Sequence, residues 1–186
     1  GNSQLSYAQY AVYSNTGQTG STLKDWTAIV AGINANSYTD NWQVDFYTLQ
    51  QATNYVSVRV YDNANNSATL TDVFYIKKDT NLPTITNNQT GDDTWRISSG
   101  TTYNVDFLDT AGSTNSLLSY IQYAVYSNTG QPGTTLIDWT NIATSVNATS
   151  YTDNWSVNFS LLAQGANYVS MRVYDNSGNL TNLTDA

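Results

Sequence analysis

The sequence contains no cysteine, no histidine and no glutamate; all 14 of its acidic residues are aspartate. Without cysteine there is no disulfide, no thiolate nucleophile and no thiolate-held metal. Without histidine the commonest general base is gone, and with it every Ser-His or Cys-His arrangement. A paired-Asp glycosidase remains possible in principle, as does a calcium site built from Asp, Asn and carbonyl oxygens. Basic residues are equally scarce, three Lys and three Arg, so the formal charge is −8 and the pI about 4.1. No basic stripe exists for the phosphate contacts that dominate nucleic-acid affinity or for anionic lipid, and neither partner is expected. No apolar run approaches the roughly 18 residues of a membrane span. The chain opens Gly1-Asn2-Ser3 rather than with Met or a signal peptide, which suggests a soluble mature piece whose targeting segment was removed or lies outside it.

What is present favours strands. There are 15 Tyr and 5 Trp in 186 residues, and Asp is a poor helix former where Glu is a good one. With 40% hydrophobic residues the chain can build packed cores, and its length suits one or two domains.

A tandem duplication organises the whole. Residues 2–72 align without a gap on 115–185, an offset of 113, and 47 of the 71 pairs are identical. Leu5 to Trp26 returns as Leu118 to Trp139, and Asn54 to Asn63 as Asn167 to Asn176. The copies are cut differently. The first runs on through Val73 to Ile85, whereas the second stops at Ala186; the second is preceded by Thr84 to Thr110, whereas nothing in the chain precedes the first. The expectation is that the C-terminal unit lacks its last strand and the N-terminal unit its first ones.

Period-2 alternation marks strands at Trp155 to Leu161, Tyr103 to Phe107, Ile121 to Tyr126, Leu136 to Ile142, Tyr168 to Tyr174 and Val73 to Lys78. Turn signals lie between them, such as Asn128-Thr129-Gly130, Pro132-Gly133, Gly165-Ala166-Asn167 and Ser177-Gly178-Asn179. About seven short strands per 113 residues predict a β-sandwich. Gln122-Tyr123-Ala124-Val125, Asp138 to Ile142, Gly165 to Val169, Arg172 to Asn179 and Lys78 to Thr84 follow one another in a characteristic order. In that order the chain resembles the immunoglobulin-like or fibronectin-III-like tandem repeats of bacterial surface proteins. The resemblance implies an all-β protein of two tandem Ig-like antiparallel β-sandwich units, both incomplete at the chain ends. Residues 1–80 would form an N-terminal unit lacking its first strands, and 81–186 a C-terminal unit lacking its last strand.

Several residue sets invite a functional reading. Asp62-Asn63 and Asp175-Asn176 end a strand in each copy, Asp72 and Asp185 follow ten residues later, and Asp79 stands at the unit junction. Cadherin-like modules gather such oxygens around calcium, which takes six to eight of them; the alternative is that these side chains cap turns. No other cofactor is expected. Trp42 and Trp155 fall on the apolar face of their segment and read as core, while Trp26, Trp139 and Trp95 leave sugar stacking open. Tyr55 and Tyr168 sit where a tyrosine corner would be. Lys77 and Lys78 are candidates for an isopeptide bond to Asn, and Lys24 is not a better one, since its counterpart is Ile137. Sequons occur at Asn65, Asn88, Asn147, Asn154, Asn158, Asn179 and Asn182, five of the seven in the second copy, and glycans are expected at some of them after export. Together these features predict a non-enzymatic structural segment of an extracellular or cell-surface filament or stalk, partnered by other copies of itself, with strand complementation as one route. The alternative is a carbohydrate-binding or adhesive module.

Overall fold

The computed structural model describes residues 2–89, 91, 93–109 and 115–186. Among the described residues the regular structure is β-strand apart from three single 3-10 turns, and no described helix is long and apolar enough to cross a membrane. Contacts divide the chain into two compact units, Gly1–Lys78 and Asp79–Ala186.

The first unit is one antiparallel sheet. Its strands β1 (Leu5–Asn15), β2 (Thr19–Ala35), β3 (Ala52–Asp62) and β4 (Ser67–Lys78) lie in the order β2-β1-β3-β4. In the second unit β7 (Leu118–Tyr126), β8 (Thr135–Ala143), β10 (Tyr168–Asp175) and β11 (Leu180–Leu183) repeat that sheet, in the order β11-β10-β7-β8. A second sheet of β5 (Thr84–Asn87), β6 (Val105–Leu108) and β9 (Ser150–Tyr151), ordered β5-β6-β9, accompanies it. β9 shows what the extra strands do. Ser150-Tyr151 ladders with Leu108 and Phe107 of β6, while the identical dipeptide Ser37-Tyr38 lies outside any strand. The same residues become a strand only where a partner edge is at hand.

The cores differ for the same reason. In the second unit Val105 and Phe107 pack with Leu118, Ile121, Met171 and Val173, all nearly or fully buried, so the core sits between the two sheets. In the first, only Tyr10, Val12, Leu49 and Val56 form a buried cluster. Leu5, Val58 and Val60, the counterparts of Leu118, Met171 and Val173, are only half-buried.

Contacts that shape the sheet recur in both copies. Asp72 and Asp185 adopt φ of 52° and 53°, a left-handed conformation that costs a non-glycine residue about 1 kcal/mol. Each returns a carboxylate oxygen to the turn after the first strand, accepting the Gly17 or Gly130 N–H at 2.6 Å, while its own N–H donates to Ser57 or Ser170. Gly133 must be glycine on two counts: its φ is 84°, and an added Cβ would lie 2.7 Å from Ser127 Oγ. On the sheet, the Arg59 guanidinium lies 4.2 Å over the Trp26 ring and Arg172 4.3 Å over Trp139, each Arg also donating to Gln9 or Gln122 at 2.7 Å.

The strand expected at Trp155 to Leu161 is not formed. Trp155 makes a single bridge with Tyr103, and Phe159–Leu161 is a 3-10 turn. The inward alternation of Trp155 and Val157 survives, but the Asn158 N–H, which a ladder would use, donates instead to the Tyr123 hydroxyl at 3.3 Å. In the first unit the Asp45 N–H donates to Tyr10 in the same way. These contacts of Tyr10 and Tyr123, which reach 35 residues along the chain, are distinct from the tyrosine corner read at Tyr55 and Tyr168.

Candidate metal centre

Three carboxylates converge in the second unit. Asp79 opens the unit, Asp109 follows the end of β6, and Asp175 ends β10; one oxygen from each lies within 4.8 Å of the others. Asp109 is 1% exposed and Asp175 2%, with Asp79 partly buried. Local hydrogen bonds fix the two outer carboxylates. Asp175 Oδ1 accepts the N–H groups of Ser177 and Asn179 at 2.9 and 2.8 Å, and its Oδ2 accepts Asn179 Nδ2 at 2.7 Å. Asp79 Oδ1 accepts the Asn81 N–H and Oδ2 the Ser116 N–H at 2.7 Å, while Asn179 Nδ2 also donates to the Asp79 carbonyl. Asn179 therefore ties Asp79 to Asp175. The Asp109 N–H donates to Thr149, which anchors that residue to the chain beyond β8.

Unit charges 4.8 Å apart repel by about 3 kcal/mol at an effective dielectric constant near 20. Three carboxylate oxygens this close form a donor set that suits calcium. Oxygens around one ion at 2.3–2.6 Å lie at most about 5 Å apart, twice the bond length. The two copies supply an internal control. Ser3 Oγ donates to Asp62 Oδ2 at 2.6 Å, but its counterpart Ser116, whose N–H donates to Asp79, has a buried Oγ with no hydrogen-bond partner. The first unit has the Asp62 member of the set alone, bonded to Ser3, Ala64 and Asn66, which holds its pKa down at about 2. Asp79, Asp109 and Asp175 are the residues that would hold a calcium ion; the ion would supply positive charge and cross-link the start of the unit to β6 and β10.

Of the aspartates singled out by sequence, Asp79 and Asp175 are thus brought together, while Asp72 and Asp185 hold glycine N–H groups elsewhere. Asp109 was not among the aspartates singled out by sequence, because only the placement of β6 in the fold brings it beside Asp79 and Asp175.

The other candidates are distributed as follows. Trp155 is 8% exposed and lies tilted against the Tyr123 and Tyr103 rings; Trp42 is half-buried between Tyr10 and Phe74. Trp26 and Trp139 each have one ring face covered by arginine, and Trp95 is exposed. A groove of about 360 Å³ runs past Trp155 between Thr140-Asn141-Ile142 and Ser156-Val157-Asn158. Lys78 donates to the carbonyls of Phe46 and Leu49, with no Asn carboxamide among its hydrogen-bond partners, and Lys77 is exposed. Lys24 pairs with Asp45 at 3.0 Å. Among the sequons, Asn65, Asn88, Asn147, Asn154, Asn158 and Asn182 are exposed, although Thr90 of the Asn88 sequon lies outside the described residues. Asn179 is half-buried and its Nδ2 is committed to Asp79 and Asp175, the atom that a glycan would need.

No protein-family model matches the sequence, and a search of curated proteins found no match either.

Proposed function

We propose that this chain is a non-enzymatic structural segment of an extracellular or cell-surface filament or stalk, built from tandem Ig-like β-sandwich repeats of 113 residues. The observation that carries the reading is repetition in detail. Two sheets of one strand order are shaped by the same contacts, Asp72 to Gly17 and Asp185 to Gly130, Arg59 over Trp26 and Arg172 over Trp139. Duplicated scaffold contacts, with Asp72 and Asp185 each spent on a glycine N–H, suit an array of stacked repeats. Glycans at the exposed sequons Asn154 and Asn158 belong to the same reading, as does calcium at the Asp79, Asp109 and Asp175 cluster.

The second reading, a carbohydrate-binding module, rests on the groove beside Trp155, where Thr140, Asn141, Ser156 and Asn158 offer hydroxyls and amides. Against it, the Trp155 ring is buried and its Nε1 is closed off from solvent, so the floor offers little stacking surface. Micrographs of the chain and of longer concatenations of it test the two together. The structural reading expects lengths that grow by a constant step per repeat and no retention on a glycan array. Glycan retention that is lost with Asn141→Ala and Asn158→Ala would replace it with the second.

A further inference from the structure

The groove beside Trp155 carries a sequon in its own wall. Asn158, the acceptor of Asn158-Phe159-Ser160, lines it together with Asn141 and Ser156, whereas the neighbouring acceptor Asn154 is not among its lining residues. The Asn158 carboxamide is held by one end only. Its Oδ1 accepts the Ser160 hydroxyl at 2.7 Å, and its Nδ2, the atom that carries an N-linked sugar, has no hydrogen bond among the described residues. Asn141 is placed in the same way, its Oδ1 accepting Gln122 at 2.8 Å and its Nδ2 uncommitted; the Ser156 hydroxyl is also uncommitted. The first unit differs at all three positions. Ala28, Gln43 and Asp45 stand there, and Asp45 is taken by Lys24 at 3.0 Å. A volume of about 360 Å³ is at the small end of the ~300–1,000 Å³ range of ligand sites, which suits the first sugars of a chain rather than a whole one.

We propose that this groove is the seat of the glycan carried by Asn158 itself, its first pyranose lying against Thr140–Ile142. Asn141 Nδ2 donates to one sugar oxygen, and Ser156 Oγ exchanges a hydrogen bond with another. The buried Trp155 ring gives too little stacking surface to hold a free saccharide well, but a tether changes the arithmetic. A sugar attached in the wall experiences an effective concentration in the millimolar range. At about 5 mM, a site whose Kd for the free sugar is only about 1 mM leaves the tethered one unseated about one-sixth of the time. A seated sugar also covers β8, the outer strand of its sheet, and an uncovered edge is a template for another chain. This inference rests on the glycans of the structural reading and gives one of them a place on the protein.

The test secretes the whole chain from a eukaryotic host that attaches high-mannose N-glycans and reads site occupancy by glycopeptide mass spectrometry. Asn154→Gln and Asn158→Gln supply chains that keep only the other of the two sequons. Release by peptide-N-glycosidase is then timed on folded protein and again after denaturation. The folded chain should release the Asn158 glycan about sixfold more slowly than the Asn154 glycan, and denaturation should remove the difference. Asn141→Ala installs the residue that the first unit has as Ala28, and should bring the two rates together with the fold intact. Amide exchange over residues 139–143 should be slower with Asn158 occupied than in Asn158→Gln. Equal release from folded chains, or a difference that Asn141→Ala leaves in place, overturns the inference while the glycans of the structural reading stand. Asn158 bare beside an occupied Asn154 also overturns the inference alone; both bare remove the glycans from that reading as well.

Discussion

Replacing Asp109 with Asn asks whether the carboxylate cluster needs a cation. With oxygens no more than 4.8 Å apart, each pair of charges costs about 3 kcal/mol, and Asp109→Asn removes two of the three pairs, about 6 kcal/mol gross. The N–H groups of Ser116, Ser177 and Asn179, together with the contacts that Asp109 itself makes, already offset part of that repulsion, and relaxation absorbs more. A net gain of about 2 kcal/mol is expected for the second unit in chelator, within the ordinary range for a single substitution. Calcium should reverse the order. At about 100 times its Kd it adds roughly 2.7 kcal/mol to the wild type, and much less to a variant short of one carboxylate. Amide exchange within Ile121–Val125 gives the second unit its own signal in both conditions. If calcium leaves wild-type exchange unchanged and Asp109→Asn speeds it in chelator, the cluster is hydrogen-bonded structure only and the cation argument is wrong.

Trp155→Ala should cost about 3 to 5 kcal/mol, as the loss of a nearly buried large side chain does. Trp42→Ala, at a half-buried ring, should cost roughly half as much; equal losses in denaturant unfolding would contradict the difference in covering between the two units. The Asp62 carboxyl is held at about 2, below its ordinary 3.8, first by the Asn66 side chain and then by Ser3. Its contribution is present above about pH 4 and disappears as pH falls through 2, so the stability gap between wild type and Asp62→Asn should close across that window in acid titrations. Material exported through a glycosylating pathway should carry sugar at Asn154 or Asn158 and none at Asn179; glycopeptide analysis that finds Asn179 occupied would contradict its bonds to Asp79 and Asp175.

The strands could be read from the sequence where burial falls on one side only. Tyr103, Val105 and Phe107 alternate with Asn104 and Asp106, and β6 appears there because its inner residues meet a core. Alternation misled at Trp155 to Leu161, because it reports which side faces inward and not whether a neighbouring edge exists. Tyr123 takes the N–H that a ladder would need. The metal candidate was half legible. Asp79 and Asp175 stood out at a junction and a strand end, but their meeting with Asp109 is a consequence of tertiary pairing between segments far apart in the chain. The orphaned Ser116 hydroxyl can be recognised only by comparison with Ser3 in the finished structure.

The central claim is that one repeat is used twice and that each copy of the sheet requires the strand pair that precedes it. Repeating residues 79–113 ahead of Gly1 supplies that pair to the first unit in the register of the duplication, and calorimetry then reads both units at once. The account predicts that the lower of two melting transitions, that of the first unit, rises to join the transition of the second. A first unit that melts at the same temperature with and without the added strands would contradict it.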